Sequence, residues 1–255
     1  MSNAECSLRL SRDFCPTTDL GKIMRFDIMT LFPEMVGNIL GESIIGRAQK
    51  SGAVEINLYN IRDYSEDKHR RVDDTPYGGG KGMLMMAPPI YNCYRAILDD
   101  QKEKGFEPER QLVIYMSPGG RVLNQKKAEE LSFFDNIIIL CGHYEGVDRR
   151  IIDEIVDEEV SIGDFVLTGG EVPAAILVDC VSRLLPGVLS DPECYEKESI
   201  SSGMLEYPQY TRPYEFHGVK VPDVLISGHH ANIDKWRDES ARELTERQRP
   251  DLLEN

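Results

Sequence analysis

Between Leu112 and Pro173 three short apolar runs each end in a glycine-bearing loop. They are Leu112–Met116 before Ser117-Pro118-Gly119-Gly120, Ile137–Leu140 before Gly142-His143-Tyr144-Glu145-Gly146, and Phe165–Leu167 before Thr168-Gly169-Gly170-Glu171. Apolar runs this short, bounded by glycine, predict buried strands, and several of them require a sheet covered on both faces. Strands that stop at glycines leave backbone N–H and C=O groups open at their carboxyl ends, where open α/β sheets hold small ligands. Ser161-Ile162-Gly163-Asp164 adds a further turn beside them. Any one of these loops is as readily a plain tight turn. Together they point to one ligand wrapped by backbone.

The surrounding pattern supplies the rest of the sheet. Arg25–Leu31 and Val54–Tyr59 alternate and are rich in β-formers, so each predicts a strand. Pro33 suits the first turn of a helix reaching about Lys50, with Gly52 just beyond its end. Further helices are expected from Pro88 to about Lys104, from Gln125 to Leu131, from Val147 to Val156 and from Glu171 to Leu185. A strand is expected through Ile162 to Leu167. Helices alternating with strands predict an α/β fold with a mainly parallel sheet. Residues 62 to 82 read as one long polar, glycine-rich loop, a feature that is usually functional or disordered.

Four segments are expected along the chain. Residues 1–23 read as an N-terminal extension or expression-tag remnant, Ser2-Asn3-Ala4 being typical of such a scar. Residues 24–187 form the ligand-binding domain. Residues 188–202 are charged, weakly hydrophobic and aperiodic, hence a flexible interdomain linker. Residues 203–255 form a small C-terminal unit with a turn-rich start, closed by a helix from about Asn232 to Arg247 that offers Ile233, Trp236 and Leu244 for apolar contacts.

Composition narrows the function. At 255 residues, 41% hydrophobic and 29% charged, the chain reads as an ordinary soluble protein, with no membrane-spanning run and no secretory h-region. A cytoplasmic protein is expected. The six cysteines are scattered without a CxxC pair, which argues against a disulfide framework and against a zinc site. Cys141 and Cys180 read as buried free thiols. His229-His230 lacks neighbouring ligands and reads as polar surface, so no metal residues are assigned. The net charge of −15 at first opposes a nucleic-acid partner. Residues 151–202, however, hold twelve acidic residues against two basic ones, while Lys68-His69-Arg70-Arg71, Lys126-Lys127 and Arg149-Arg150 remain as local basic sites. Phosphate binding follows the local field, so RNA stays open. The acidic run Asp153-Glu154 to Asp157-Glu158-Glu159 is by default a solvated face.

Two familiar phosphate motifs are absent. Tyr77-Gly78-Gly79-Gly80-Lys81-Gly82 lacks the Ser or Thr that must follow the lysine of a P-loop, and no GxGxxG occurs. Arg183, near the end of an apolar helix, and Glu198, in the linker, are ordinary as a helix-terminal cation and a loop carboxylate. Beside a ligand cleft they would instead form an anion stabiliser and a base.

Taken together, Leu31-Phe32-Pro33-Glu34-Met35, Asp73-Asp74-Thr75-Pro76-Tyr77-Gly78-Gly79-Gly80, Cys141 to Asp148, Ser161 to Glu171, Pro208-Gln209-Tyr210-Thr211-Arg212-Pro213 and Ser227-Gly228-His229-His230 resemble the bacterial tRNA (guanine-N1)-methyltransferases, the TrmD family of the SPOUT class. The resemblance runs from about Met24 to the C-terminus. It implies a deep trefoil knot, which no periodicity reveals, and a homodimer with its active site at the subunit interface. S-adenosylmethionine would lie in the knot against Tyr115, Met116, Ser117, Pro118, Gly142, Tyr144, Glu145 and Gly146. Ser161, Ile162, Gly163, Asp164, Phe165, Val166, Leu167, Gly169, Gly170 and Pro173 would complete the cradle.

The resemblance further implies that the tRNA anticodon arm is gripped by the C-terminal unit and linker, presenting the guanosine 3′ of the anticodon. Arg183 would bind guanine O6 and Glu198 would take the N1 proton. Glu198 stands where the family carries aspartate, and Glu196 lies close by; His143 stands where many relatives carry arginine. Some members use magnesium, for which no ligand set is visible in this sequence. The alternatives are a SPOUT methyltransferase acting at another RNA position and a non-catalytic RNA-binding protein.

Overall fold

The structure, a computed structural model, describes residues 23–189, 199–200 and 203–253. Most of the expected N-terminal extension, most of the expected linker, and both Glu196 and Glu198 therefore lie outside the described residues. Five parallel strands form the main sheet: β1 (Met24–Thr30), β2 (Val54–Asn60), β5 (Gln111–Val122), β6 (Asn136–Cys141) and β7 (Glu158–Ser161), in the order β2-β1-β6-β5-β7. The mainly parallel α/β expectation is met.

The central strands explain themselves. Every residue of β1 and of β6 is buried, and side chains alternate across the sheet. Ile137 and Ile139 join Phe26, Ile28, Val36, Leu40 and Val178 on one face, while Ile138 and Leu140 join Met29, Ile90, Ile97 and Ile151 on the other. Burying one such side chain stabilises by roughly 1.5–3 kcal/mol. The first face is covered by α1 (Pro33–Leu40), α2 (Ser43–Ser51), α4 (Gln125–Leu131) and α6 (Glu171–Ser182). The second is covered by α3 (Ala87–Glu103) and α5 (Arg149–Ile155).

Five expectations need correction. The single helix from Pro33 is two helices, broken at Gly41 and Glu42; Gly46 of α2 rests on the Gly41 carbonyl, where any Cβ would clash. The strand from Leu112 does not stop at Ser117. It continues to Val122, with Ser117–Gly120 bulging between two registers, so that Met116 and Arg121 both pair with Val160. A Cβ on Gly120 would strike the backbone of Glu159 and Val160, so glycine is what lets the strands close again.

The expected strand through Ile162 to Leu167 is absent. The last strand is instead β7, drawn from the acidic run read as a solvated face. Its Glu158 carboxylate accepts from Lys127 Nζ at 2.6 Å, and the preceding Asp157 carboxylate accepts from Val113 N at 2.8 Å. The long polar loop also carries structure, a 3-10 turn at Ile61–Tyr64 and β3 (Asp73–Asp74), which pairs antiparallel with β4 (Leu84–Met85) just beyond it.

Beyond residue 203 the described chain forms a short hairpin, β8 (Glu215–Phe216) with β9 (Val219–Lys220), then helices Asp223–Ile226 and His230–Gln248. Tyr210 packs on Trp236 with ring centroids 6.3 Å apart, and the Arg237 guanidinium lies 5.0 Å from the Tyr207 ring. Ala241 and Thr245 are the buried positions of the long helix, while Ile233, Trp236 and Leu244 are half-buried.

Candidate ligand site

The bulge within β5 and the carboxyl ends of β6 and β7 open onto one cavity of about 330 Å³. Its wall is built by Tyr115–Pro118 from the β5 bulge, Gly142–Gly146 after β6, Val160–Ile162 at the end of β7, Phe165–Gly170, and Pro173 in the first turn of α6. Every cradle residue expected from the sequence lines it except Gly163 and Asp164. Those two sit in a turn closed on Ser161, whose Oγ accepts from Gly163 N at 3.2 Å and donates to Gly163 O at 3.1 Å. His143, Val160 and Thr168 line the cavity as well. They were missed although each neighbours an expected residue; His143 lies inside the glycine loop itself.

Backbone contacts set the shape. Gly170 N donates to Gly142 O at 2.9 Å, and His143 bridges to Gly169. A Cβ on Gly170 would lie 2.7 Å from Cys141 Cα, and one on Gly142 would lie 2.8 Å from the Tyr115 hydroxyl. The second loop is braced from outside by β4: Met85 N donates to Gly146 O at 3.0 Å and Glu145 N to Met83 O at 2.9 Å. Tyr144 adopts a left-handed backbone with φ 59, and its hydroxyl accepts from Arg62 Nη2 at 3.5 Å.

The walls are chemically mixed. Met116, Pro118, Ile162, Leu167 and Pro173 are apolar, backbone groups of the glycine loops are polar, and Glu145 supplies a carboxylate. Tyr115 is buried, and burial, reinforced by Glu159, pushes its hydroxyl above the ordinary range. Burial likewise drives the Cys141 thiol well up, so it is a packing residue rather than a nucleophile. Val166, 81% exposed, and Phe165, 54% exposed, stand at the rim without a covering element among the described residues.

Arg183 is not part of this cavity. It caps the C-terminus of α6, and twelve residues at ~1.5 Å each put it ~18 Å from the end of α6 that lines the cavity. Within one chain, then, the expected O6-binding residue and the cavity occupy opposite ends of one helix. Among the described residues no cluster of His, Cys, Asp or Glu is arranged to hold a metal, and no helix is long and apolar enough to cross a membrane.

A parallel sheet with a glycine-built cavity at its strand ends defines a small-molecule-binding α/β protein. Comparison with known proteins makes the class specific. The family model described as tRNA (Guanine-1)-methyltransferase TrmD matches residues 24–255, and the chain belongs to that family. A Ruminiclostridium cellulolyticum protein named tRNA (guanine-N(1)-)-methyltransferase is 59% identical over 230 residues, 90% of this chain and 96% of the relative. Proteins of the same name from Lachnospira eligens and Clostridioides difficile are 55% and 52% identical, each over at least 90% of this chain and at least 95% of their own length.

Proposed function

We propose that the protein methylates N1 of the guanosine immediately 3′ of the anticodon in tRNA, a modification that maintains reading frame, with S-adenosylmethionine as methyl donor. The observation that carries this reading is the single cavity uniting three glycine-bearing segments in a chain of the TrmD family. The donor fits what lines it. A cavity of about 330 Å³ suits a nucleoside-sized ligand, apolar walls suit a purine and a thioether chain, and Glu145 suits a cationic group. When bound, the donor supplies an electrophilic sulfonium methyl group.

The protein's own residues supply the rest. Guanine N1 carries a proton and is a poor nucleophile. An unperturbed glutamate, with pKa ~4.3, is too weak to ionise it outright. Glu198 accepts that proton as the methyl transfers, while the Arg183 guanidinium stabilises the charge gathering on O6. Holding both substrates in line contributes much of the remaining acceleration.

Arg183 reaches a donor site only if a second copy presents it. Support for a homodimer comes from an apolar stripe on α6: Val172 and Ile176 are exposed, and Arg183 follows on the same helical face. Met35 and Ile39 of the adjoining α1 extend the patch, each about half-exposed. The glycine loops are proposed to form the family's trefoil knot. The C-terminal unit, with exposed Tyr210, Tyr214 and Phe216 for stacking, is proposed to grip the anticodon arm in the cytoplasm.

The test is incubation with labelled donor and tRNA transcripts that differ only at the target guanosine. Label is expected in the guanosine transcript alone. Equal labelling of an adenosine transcript overturns the substrate assignment.

A further inference from the structure

Glu171 stands behind the cavity wall, bonded to the lining residue His143, and the reaction as derived gives it no task. It is 1% exposed and opens α6, where the helix dipole favours a negative charge. Both of its oxygens are engaged. Thr30 Oγ1 donates to Oε1 at 2.6 Å, and His143 Nε2 lies 2.6 Å from Oε2. Thr30 in turn accepts from Phe32 N at 2.9 Å.

The proton directions follow. A carboxylate only accepts, so the hydrogen in the second short contact is carried on His143 Nε2. Thr30 O–H, from the end of β1, and His143 Nε2–H, from the second glycine loop, thus converge on one buried anion, and Phe32 N–H fixes the Thr30 hydroxyl from behind. The Phe32 ring also lies 4.9 Å from the His143 ring, limiting its rotation. Gly169 belongs to the same arrangement: a Cβ there would collide with His143 Nε2 and lie 2.6 Å from Glu171 Oε2. The bond therefore spans the gap between the loop after β6 and the loop before α6.

We infer that Glu171 is a positioning residue for the methyl donor, acting through His143. By fixing the Nε2–H form of His143 and tying it to the start of α6, it sets the separation of the two loops between which the donor lies. The inference rests on the proposed function for the identity of the ligand. It predicts an effect on donor binding rather than on the methyl-transfer step, because Glu171 lines no part of the cavity itself while His143 does.

Glu171→Gln keeps the shape but replaces one acceptor by an N–H group, which faces either Thr30 O–H or His143 Nε2–H. Calorimetry with S-adenosylhomocysteine should show binding weakened about tenfold or more, the scale of a lost hydrogen bond to a charged group. The donor KM should rise in proportion, with kcat at saturating donor changing far less. Long-range proton–nitrogen spectra of the imidazoles, of which the chain has five, should show loss of the His143 Nε2–H signature. His143→Leu should match Glu171→Gln, and the double variant should be no weaker than either. His143→Gln, which can place an N–H where Nε2 stood, should recover most of the affinity lost in His143→Leu.

A fall in kcat with unchanged donor KM overturns the inference, as does unaltered S-adenosylhomocysteine binding in Glu171→Gln and His143→Leu. If Glu171→Gln does not fold, the half-buried His143 pair decides, and equal affinity in His143→Leu and His143→Gln overturns it. Should the wild-type protein bind neither S-adenosylmethionine nor S-adenosylhomocysteine, the functional reading falls. The nitrogen spectra then judge the Glu171–His143 bond alone, and an Nδ1–H form in the wild-type protein overturns that bond.

Discussion

Arg25 Nη2 lies 2.6 Å from Asp100 Oδ2, joining the buried start of β1 to α3 at the end of the sheet opposite the cavity. The same guanidinium donates through Nε to both oxygens of Asp27, which is fully buried. Asn136 and Gln101 donate to Asp27 Oδ2 at 2.8 and 3.2 Å, and Asn57 donates to its Oδ1 at 3.2 Å. Removing Arg25 leaves Asp27 buried without its cation, a loss of about 3–5 kcal/mol. Arg25→Ala should lower the denaturant midpoint strongly at neutral pH.

Asp100 gives this network a pH dependence. Burial would raise its carboxyl, but the bonds from Arg25 and Lys104 outweigh that and hold it below the ordinary value. A depressed carboxyl contributes stability that is complete above its unfolded pKa and is lost as pH falls through its folded one. Between about pH 5 and pH 2 the wild-type protein should lose stability more steeply than Asp100→Asn. Parallel slopes in denaturant titrations would remove Asp100 from the account.

Gly169→Val tests the cradle. The side chain would enter the space of the His143–Glu171 contact and force the two loops apart. A core-like overpacking of this kind costs about 1–3 kcal/mol. S-adenosylmethionine affinity should fall by at least about tenfold. Unchanged calorimetric affinity in a folded variant would count against the ligand assignment.

The dimer reading predicts a separation of properties. Ile176→Asp puts a charge into the proposed α1–α6 interface, 39% exposed in the single chain. Light scattering should report a monomer that still binds S-adenosylmethionine but no longer methylates tRNA, because Arg183 and the donor site then belong to separate molecules. A fully active monomer at micromolar concentration would refute the shared site.

How much of this was legible in the sequence depended on where each signal had its cause. β6 was readable because both its faces are buried, so its isoleucines run together; β1 was readable from its alternation, although its polar Arg25 and Asp27 are buried as a bonded pair. β7 was not, because it is an edge strand whose Glu158 and Glu159 are paired with Lys127 and Arg149. Phe165–Leu167 looked like a buried strand for the complementary reason, its apolar side chains being exposed at the cavity rim. The β5 bulge was hidden because pattern reading cannot see Gly120 pressed against the Glu159 backbone. The cradle was legible through its glycines, and its ligand only through the family resemblance. The Glu171–His143 bond spans 28 residues of chain, a long-range pairing that periodicity does not encode.

Glu198 carries the sharpest prediction, because it stands where the family resemblance implies an aspartate and lies outside the described residues, so only chemistry and that resemblance speak for it. Glu198→Gln should leave donor binding intact and lower kcat by roughly 10²-fold or more, the usual scale for a lost general base. Glu198→Asp should retain partial activity, since the carboxylate survives on a shorter arm. Arg183→Ala should be similarly damaging through lost stabilisation of O6. The deciding comparison is single-turnover methylation by Glu198→Gln beside Glu196→Gln, both saturated with donor. A normal Glu198→Gln beside an inactive Glu196→Gln would move the proton acceptor two residues along the chain.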